Sequence, residues 1–136
     1  MGRRRGRKTI ATGRSDSEQF APLPYAMLRS PAWRSLSGPA VKVWLELRAL
    51  SDGANNGRLS LSLEEGNELL GLGKATVGGA LVELQEKGFL DLARRGNWYH
   101  RQASLWGVAD KGGDGVPPTN SWRKWQNTAP STAVRY

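Results

Sequence analysis

Residues Ser62–Gly88 read SLEEGNELLGLGKATVGGALVELQEKG. Ser62 stands three residues before Glu65, the spacing at which each side chain satisfies the other's orphan amide in a capping box. Leu63, Gly66, Leu69 and Leu70 then fall on one face of a helix about two turns long. Gly71 suits the left-handed conformation that ends a helix, Leu72 plugs the turn, and Gly73 opens the next helix. In that second helix Val77, Ala80, Leu81 and Leu84 recur at the spacing of a buried stripe, and Gly88 stops it. A short helix, a tight apolar turn and a longer helix form the pattern of a helix-turn-helix.

Upstream, Ser37 caps a longer helix with Pro39 tolerated in its first turn. Ala40, Val43, Trp44, Leu47 and Leu50 mark its buried face, and this helix is the first of a three-helix core. Phe20, Leu23, Tyr25, Met27, Leu28 and Trp33 supply apolar bulk before it, broken by Pro22, Pro24 and Pro31 into one or two helical turns between Tyr25 and Leu36. Asn55-Asn56-Gly57 is a turn signal, and Arg58-Leu59-Ser60-Leu61 alternates as a short strand does. Downstream, Phe89 to Arg94 reads as a strand, Arg95-Gly96-Asn97 as a hairpin turn and Trp98 to Val108 as the returning strand. The fold class is therefore mainly α with a small β-hairpin wing: a three-helix core plus a two- or three-stranded antiparallel sheet.

The 136 residues, 38% of them hydrophobic, suit one small domain with tails. Residues 1–18 form a basic arm that lacks the apolar surface to order itself, residues 19–109 the domain, and residues 110–136 a flexible tail. Within the tail, Ser121-Trp122-Arg123-Lys124-Trp125 either packs on its own domain or meets a partner. With no cysteine, no disulfide framework is available. No apolar run reaches the roughly 20 residues that span a bilayer, and no apolar stretch follows the basic start as in a secretory signal. A cytoplasmic, nucleoid-associated location is expected. Oligomeric state stays open, a dimer included.

The net charge of +8 is unevenly placed. Residues 1–14 hold six cations and no acid, residues 15–90 have seven cations against nine acids, and residues 91–136 have seven against three. Such a surplus at the periphery fits a polyanionic partner.

Ser30-Pro31-Ala32-Trp33, Asn55-Asn56-Gly57-Arg58-Leu59, Lys74-Ala75-Thr76-Val77, Glu83-Leu84, Lys87-Gly88-Phe89-Leu90 and Ala103 to Trp106 carry a family likeness. Through them the run from Phe20 to Ala109 resembles winged helix-turn-helix proteins of proteobacteria, their phages and mobile elements. It is also similar to the N-terminal DNA-binding domains of plasmid and phage replication initiators. The resemblance implies double-stranded DNA as partner, with the third core helix in the major groove and the wing on the backbone. A transcriptional regulator or accessory replication factor is the role it implies.

On the third core helix, Lys74 and Thr76 are the polar candidates and Ala75 can touch a thymine methyl. The face opposite the buried stripe presents Ala75, Gly78, Gly79, Val82 and Glu86, flanked by Thr76 and Glu83. Gly78 and Gly79 cost a helix about 1 kcal/mol each against alanine, so a close approach to DNA or to a protein is one reason for them. Arg94, Arg95 and Arg101 on the wing, with Arg3, Arg4, Arg5, Arg7 and Lys8 on the arm, complete the phosphate-contacting set. His100 is the only histidine, so neither a histidine metal site nor a His-based triad has its partners. Gly71 to Thr76 fails as a phosphate-binding loop because Glu68 stands where the first glycine belongs. No catalytic residue, cofactor or metal is expected. Two other readings stay open: a protein-interaction module using the small-residue helix face, and single-stranded nucleic-acid or RNA binding by the aromatic residues of wing and tail.

Overall fold

The computed structural model describes residues 19–97, 103–113 and 115–126. Helices α1 (Tyr25–Leu28), α2 (Pro31–Arg34), α3 (Gly38–Leu50), α4 (Leu63–Leu70) and α5 (Lys74–Glu86) precede strands β1 (Leu90–Arg94) and β2 (Leu105–Val108), and a 3-10 turn spans Ser121–Lys124. Side-chain caps start α2, α3 and α4. The Ser30 and Ser37 hydroxyls accept from the amides of Trp33 and Ala40, with proline in both first turns. Ser62 and Glu65 close the capping box in both directions, at 2.8 and 3.0 Å. Gly71 ends α4 at φ 71°, and the Lys42 ammonium donates to the Leu70 carbonyl at 2.7 Å.

The α5 terminus is a Schellman closure. Phe89 N donates to Leu84 O at 2.8 Å and Gly88 N to Gln85 O at 3.2 Å. Gly88 is required twice over. Its φ is +86°, and a Cβ there would lie 2.5 Å from the Ser121 carbonyl carbon, so only glycine admits the returning chain.

Four aromatic rings from four segments meet at the centre. Trp33 lies edge-on to Trp44 and to Phe89, with centroids 5.4 and 5.6 Å apart, while Trp122 stacks on Phe89 at 6.4 Å. Such pairs add about 0.5–1.5 kcal/mol each beyond area burial. The Trp44 indole N–H donates to Phe89 O at 3.1 Å, and Ala109 N donates to the same carbonyl at 3.0 Å. Met27, Val43, Leu47, Leu59, Val77, Leu84, Leu90 and Val108 fill the space around the rings. The α4–α5 contact is close because Gly66 faces Val77.

β1 and β2 pair antiparallel, Leu90 opposite Val108 and Leu92 opposite Trp106, with an irregularity between Leu92 and Arg94. Mixed α structure with a small two-stranded antiparallel sheet therefore describes the architecture. The expected strand at Arg58–Leu61 reduces to one bridge between Leu59 and Trp106. The returning strand begins at Leu105, and residues 98–102 lie outside the described residues.

Other departures have tertiary causes. Leu50 is 43% exposed, and Arg48 takes the buried place expected of it. The Arg48 guanidinium is neutralised from far along the chain by Asp110 at 3.1 Å, and it donates to the Pro22 carbonyl at 3.2 Å. Leu69 is 63% exposed and Leu63 also faces solvent, because close packing on Val77 selects Gly66 as the contact of α4. Phe20 is 80% exposed, and Tyr25 too lies outside the core.

The segment after Ala109, expected to be a flexible tail, packs on the domain through Trp125. Asn120 N donates to Ala109 O at 2.9 Å, and Trp122 is buried beside Phe89. Of the two readings of Ser121 to Trp125, docking on its own domain is the one observed. No helix among the described residues is long and apolar enough to cross a membrane.

Candidate nucleic-acid interface

α5 begins without a side-chain cap, since Gly73 offers none. Its first intrahelical bond runs from Val77 N to Gly73 O at 2.9 Å, so the amides of Lys74, Ala75 and Thr76 have no protein partner among the described residues. Lys74, Ala75 and Thr76 are exposed. Unpaired amides at the positive end of a helix dipole form an anion-binding terminus. Lys74 Nζ lies 3.8 Å from Glu64 Oε2 with both groups well exposed, a contact too weak to withhold the cation from a ligand.

Along the outer face of α5, Gly79 is open, with nothing within 4 Å of a would-be Cβ. Gly78 is half-buried, and a Cβ there would meet Leu63 at 3.7 Å. Val82, one turn on, is 53% exposed. Ala75, Gly78, Gly79, Val82 and Leu63 thus make a smooth strip. The exposed side chains of Glu64, Glu65, Glu68 and Glu86 on these two helices leave Lys74 outnumbered. This acidic balance repels phosphates at long range, so contact has to be carried at the helix tip.

The hairpin offers the second group. Arg94 Nη2 donates to Ala103 O at 3.0 Å, and Gly96 N to Ser104 Oγ at 2.9 Å, which ties the hairpin neck. Part of the Arg94 donor set is thereby engaged, while Arg95 is exposed. Arg101 of the wing and Arg3, Arg4, Arg5, Arg7 and Lys8 of the arm lie outside the described residues, as do Trp98, Tyr99 and His100. Among the described residues no hydrogen bond or ion pair joins the α5 group to Arg94 and Arg95.

Glu83 plays no part in the tip. Its carboxylate accepts from the Ser37 hydroxyl at 2.7 Å, the Ser37 amide at 2.9 Å and the Lys87 ammonium at 3.2 Å. Partial burial pushes its pKa up, but the Ser37 and Lys87 hydrogen bonds outweigh this and hold it below the usual carboxylate value. The network fastens the far end of α5 to the start of α3. No group of three or more metal-ligating side chains gathers among the described residues.

The tail tryptophans of the single-stranded reading lie against the domain. Trp122 is buried, and Trp125 is half-buried under the Lys87 ammonium. Arg123 and Lys124, between them, remain exposed. No family model, curated protein or solved structure matches the chain.

Proposed function

We propose that the protein binds double-stranded DNA as a non-enzymatic winged helix-turn-helix module, in a regulatory or accessory replication role. α4 and α5 serve as the helix pair, and the β1–β2 hairpin as the wing. The observation that carries this reading is the uncapped start of α5, where the amides of Lys74, Ala75 and Thr76 have no protein partner among the described residues and the Lys74 and Thr76 side chains are exposed. A phosphate seated there gains the helix dipole and charge-assisted hydrogen bonds together. Arg94 and Arg95 would hold a second stretch of backbone. With Lys74 the one long donor in the first two turns of α5, base discrimination is weak and phosphates dominate affinity. The test is duplex binding across a salt series with Lys74→Glu and Arg95→Glu. Each lost phosphate contact lowers the slope of log K against log salt by about 0.9. An unchanged slope in both folded variants refutes the reading.

The smooth strip of Gly78, Gly79, Val82 and Leu63 between glutamates favours a second reading, docking of another protein on α5. Gly79→Arg separates the two. A side chain added at this open position leaves duplex binding unchanged or strengthens it, whereas it blocks a close protein contact.

A further inference from the structure

The charge missing from α4 and α5 is found at the opposite end of α5. α1, α2 and the 3-10 turn contribute Arg29, Arg34, Arg123 and Lys124, all exposed. Neither residues 19–37 nor residues 115–126 contain an aspartate or glutamate. No ion pair among the described residues reaches any of the four cations.

The two segments adjoin, since α2 touches both α1 and the 3-10 turn. Trp33 of α2 and Trp122 of the 3-10 turn both pack on Phe89. Lys87 ties them further: its ammonium donates to Ser35 O at 3.0 Å and lies 5.3 Å from the Trp125 ring centre. Ser35 follows Arg34 and Trp125 follows Lys124, so one ammonium brings those two cations into the same neighbourhood. Arg123 lies over the Trp122 ring and Arg29 over the Tyr25 ring, each 5.1 Å from the ring centre. Stacking leaves the guanidinium charge in place and limits the rotamers that a bound phosphate would have to freeze. Two acids border this surface and both are engaged: Glu83 accepts from Ser37 and Lys87, and Asp91 accepts from the Thr119 hydroxyl at 2.9 Å.

We propose that the face built by α1, α2 and the 3-10 turn is a second nucleic-acid contact, holding the phosphate backbone of duplex DNA without reading its sequence. Lys87 closes the α5 C-terminus that Lys74 opens. A helix of 13 residues separates them by about 20 Å, so the two contacts fall on different phosphates. The charges of the face lie on the exposed sides of short elements, and the returning chain supplies half of them. The proposal rests on the duplex-binding reading only for the identity of the polyanion.

The test uses the full chain, a 24-base-pair duplex of arbitrary sequence and a salt series. Two variants replace Arg29, Arg34, Arg123 and Lys124 together, one by glutamate and one by glutamine, the second guarding against misfolding from charge reversal. Lys74→Glu/Arg95→Glu is run beside them, and melting curves confirm that all are folded. Loss of two to four phosphate contacts is expected to lower the salt slope by about 2–4 and to weaken binding tenfold or more at moderate salt. Wild-type slope and affinity in both four-site variants overturn the proposal and leave the α5 reading standing. Weakening in those variants with none in Lys74→Glu/Arg95→Glu supports the proposal and removes the α5 reading. Equal affinity for a polyglutamate of matched charge, or no duplex binding by the wild type, overturns the proposal.

Discussion

Replacing Gly66 by alanine sets two effects of opposite sign against each other. At an unobstructed helix position the change is worth about 1 kcal/mol of added stability. At Gly66 the new Cβ would lie 2.7 and 2.8 Å from the two Val77 methyl carbons. Carbon atoms rest at about 3.5–4.0 Å, so α4 has to back away from α5 by most of an ångström. Val77 is β-branched within a helix and has no second rotamer to retreat into. Overpacking of this kind costs about 1–3 kcal/mol, which leaves a net loss of about 1 kcal/mol. For a domain this size, that lowers the melting temperature by about 4–8 °C. Gly79→Ala, where nothing lies within 4 Å, is expected to stabilise by about 1 kcal/mol. Urea titration of Gly66→Ala, Val77→Ala and the double variant measures the coupling directly. The double variant should lose less than the sum, by about 1 kcal/mol. If Gly66→Ala stabilises as much as Gly79→Ala, or the two changes add, the close helix crossing is refuted.

Trp122→Ala is expected to cost about 3 kcal/mol in urea unfolding, since the ring is buried on Phe89, and Trp122→Phe should recover most of it. The depressed pKa of Glu83 means its carboxylate network stabilises fully above the unfolded value of about 4.3 and is lost as pH falls through the folded value. Thermal melts between pH 2 and 6 should therefore show a smaller acid loss for Glu83→Gln than for wild type. Arg48→Ala strands the Asp110 carboxylate, whose side chain is 1% exposed, and should cost about 3–5 kcal/mol. Arg48→Ala/Asp110→Ala should restore a large part of that, again read from urea melts.

What could be read in advance was what neighbouring residues decide among themselves. The Ser62–Glu65 box, the left-handed Gly71 and the stop at Gly88 depend on residues within a few positions, and the burial of Trp44 follows the periodicity of its own helix. The missed features depend on partners far away in sequence. Arg48 reads as a solvated cation until Asp110 arrives beside it. The chain after Ala109 has the composition of a loop, and its docking depends on a slot between Phe89 and the Gly88 backbone that no local pattern announces. The tryptophan pair at Trp122 and Trp125 was the available signal, and it left the choice between domain and partner open. The α5 tip was legible because a glycine N-cap before Lys74-Ala75-Thr76 is a local statement. The acidic surroundings of that tip and the cationic face at its far end emerge only when separate segments are folded together.

The duplex-binding account is tested most directly by following the backbone amide resonances of the labelled protein as unlabelled duplex is added. The account predicts fast, salt-sensitive shifts concentrated at Lys74, Ala75 and Thr76, with a second group at Arg94 and Arg95. Saturation by duplex that leaves the amides of Lys74, Ala75 and Thr76 unmoved would contradict it.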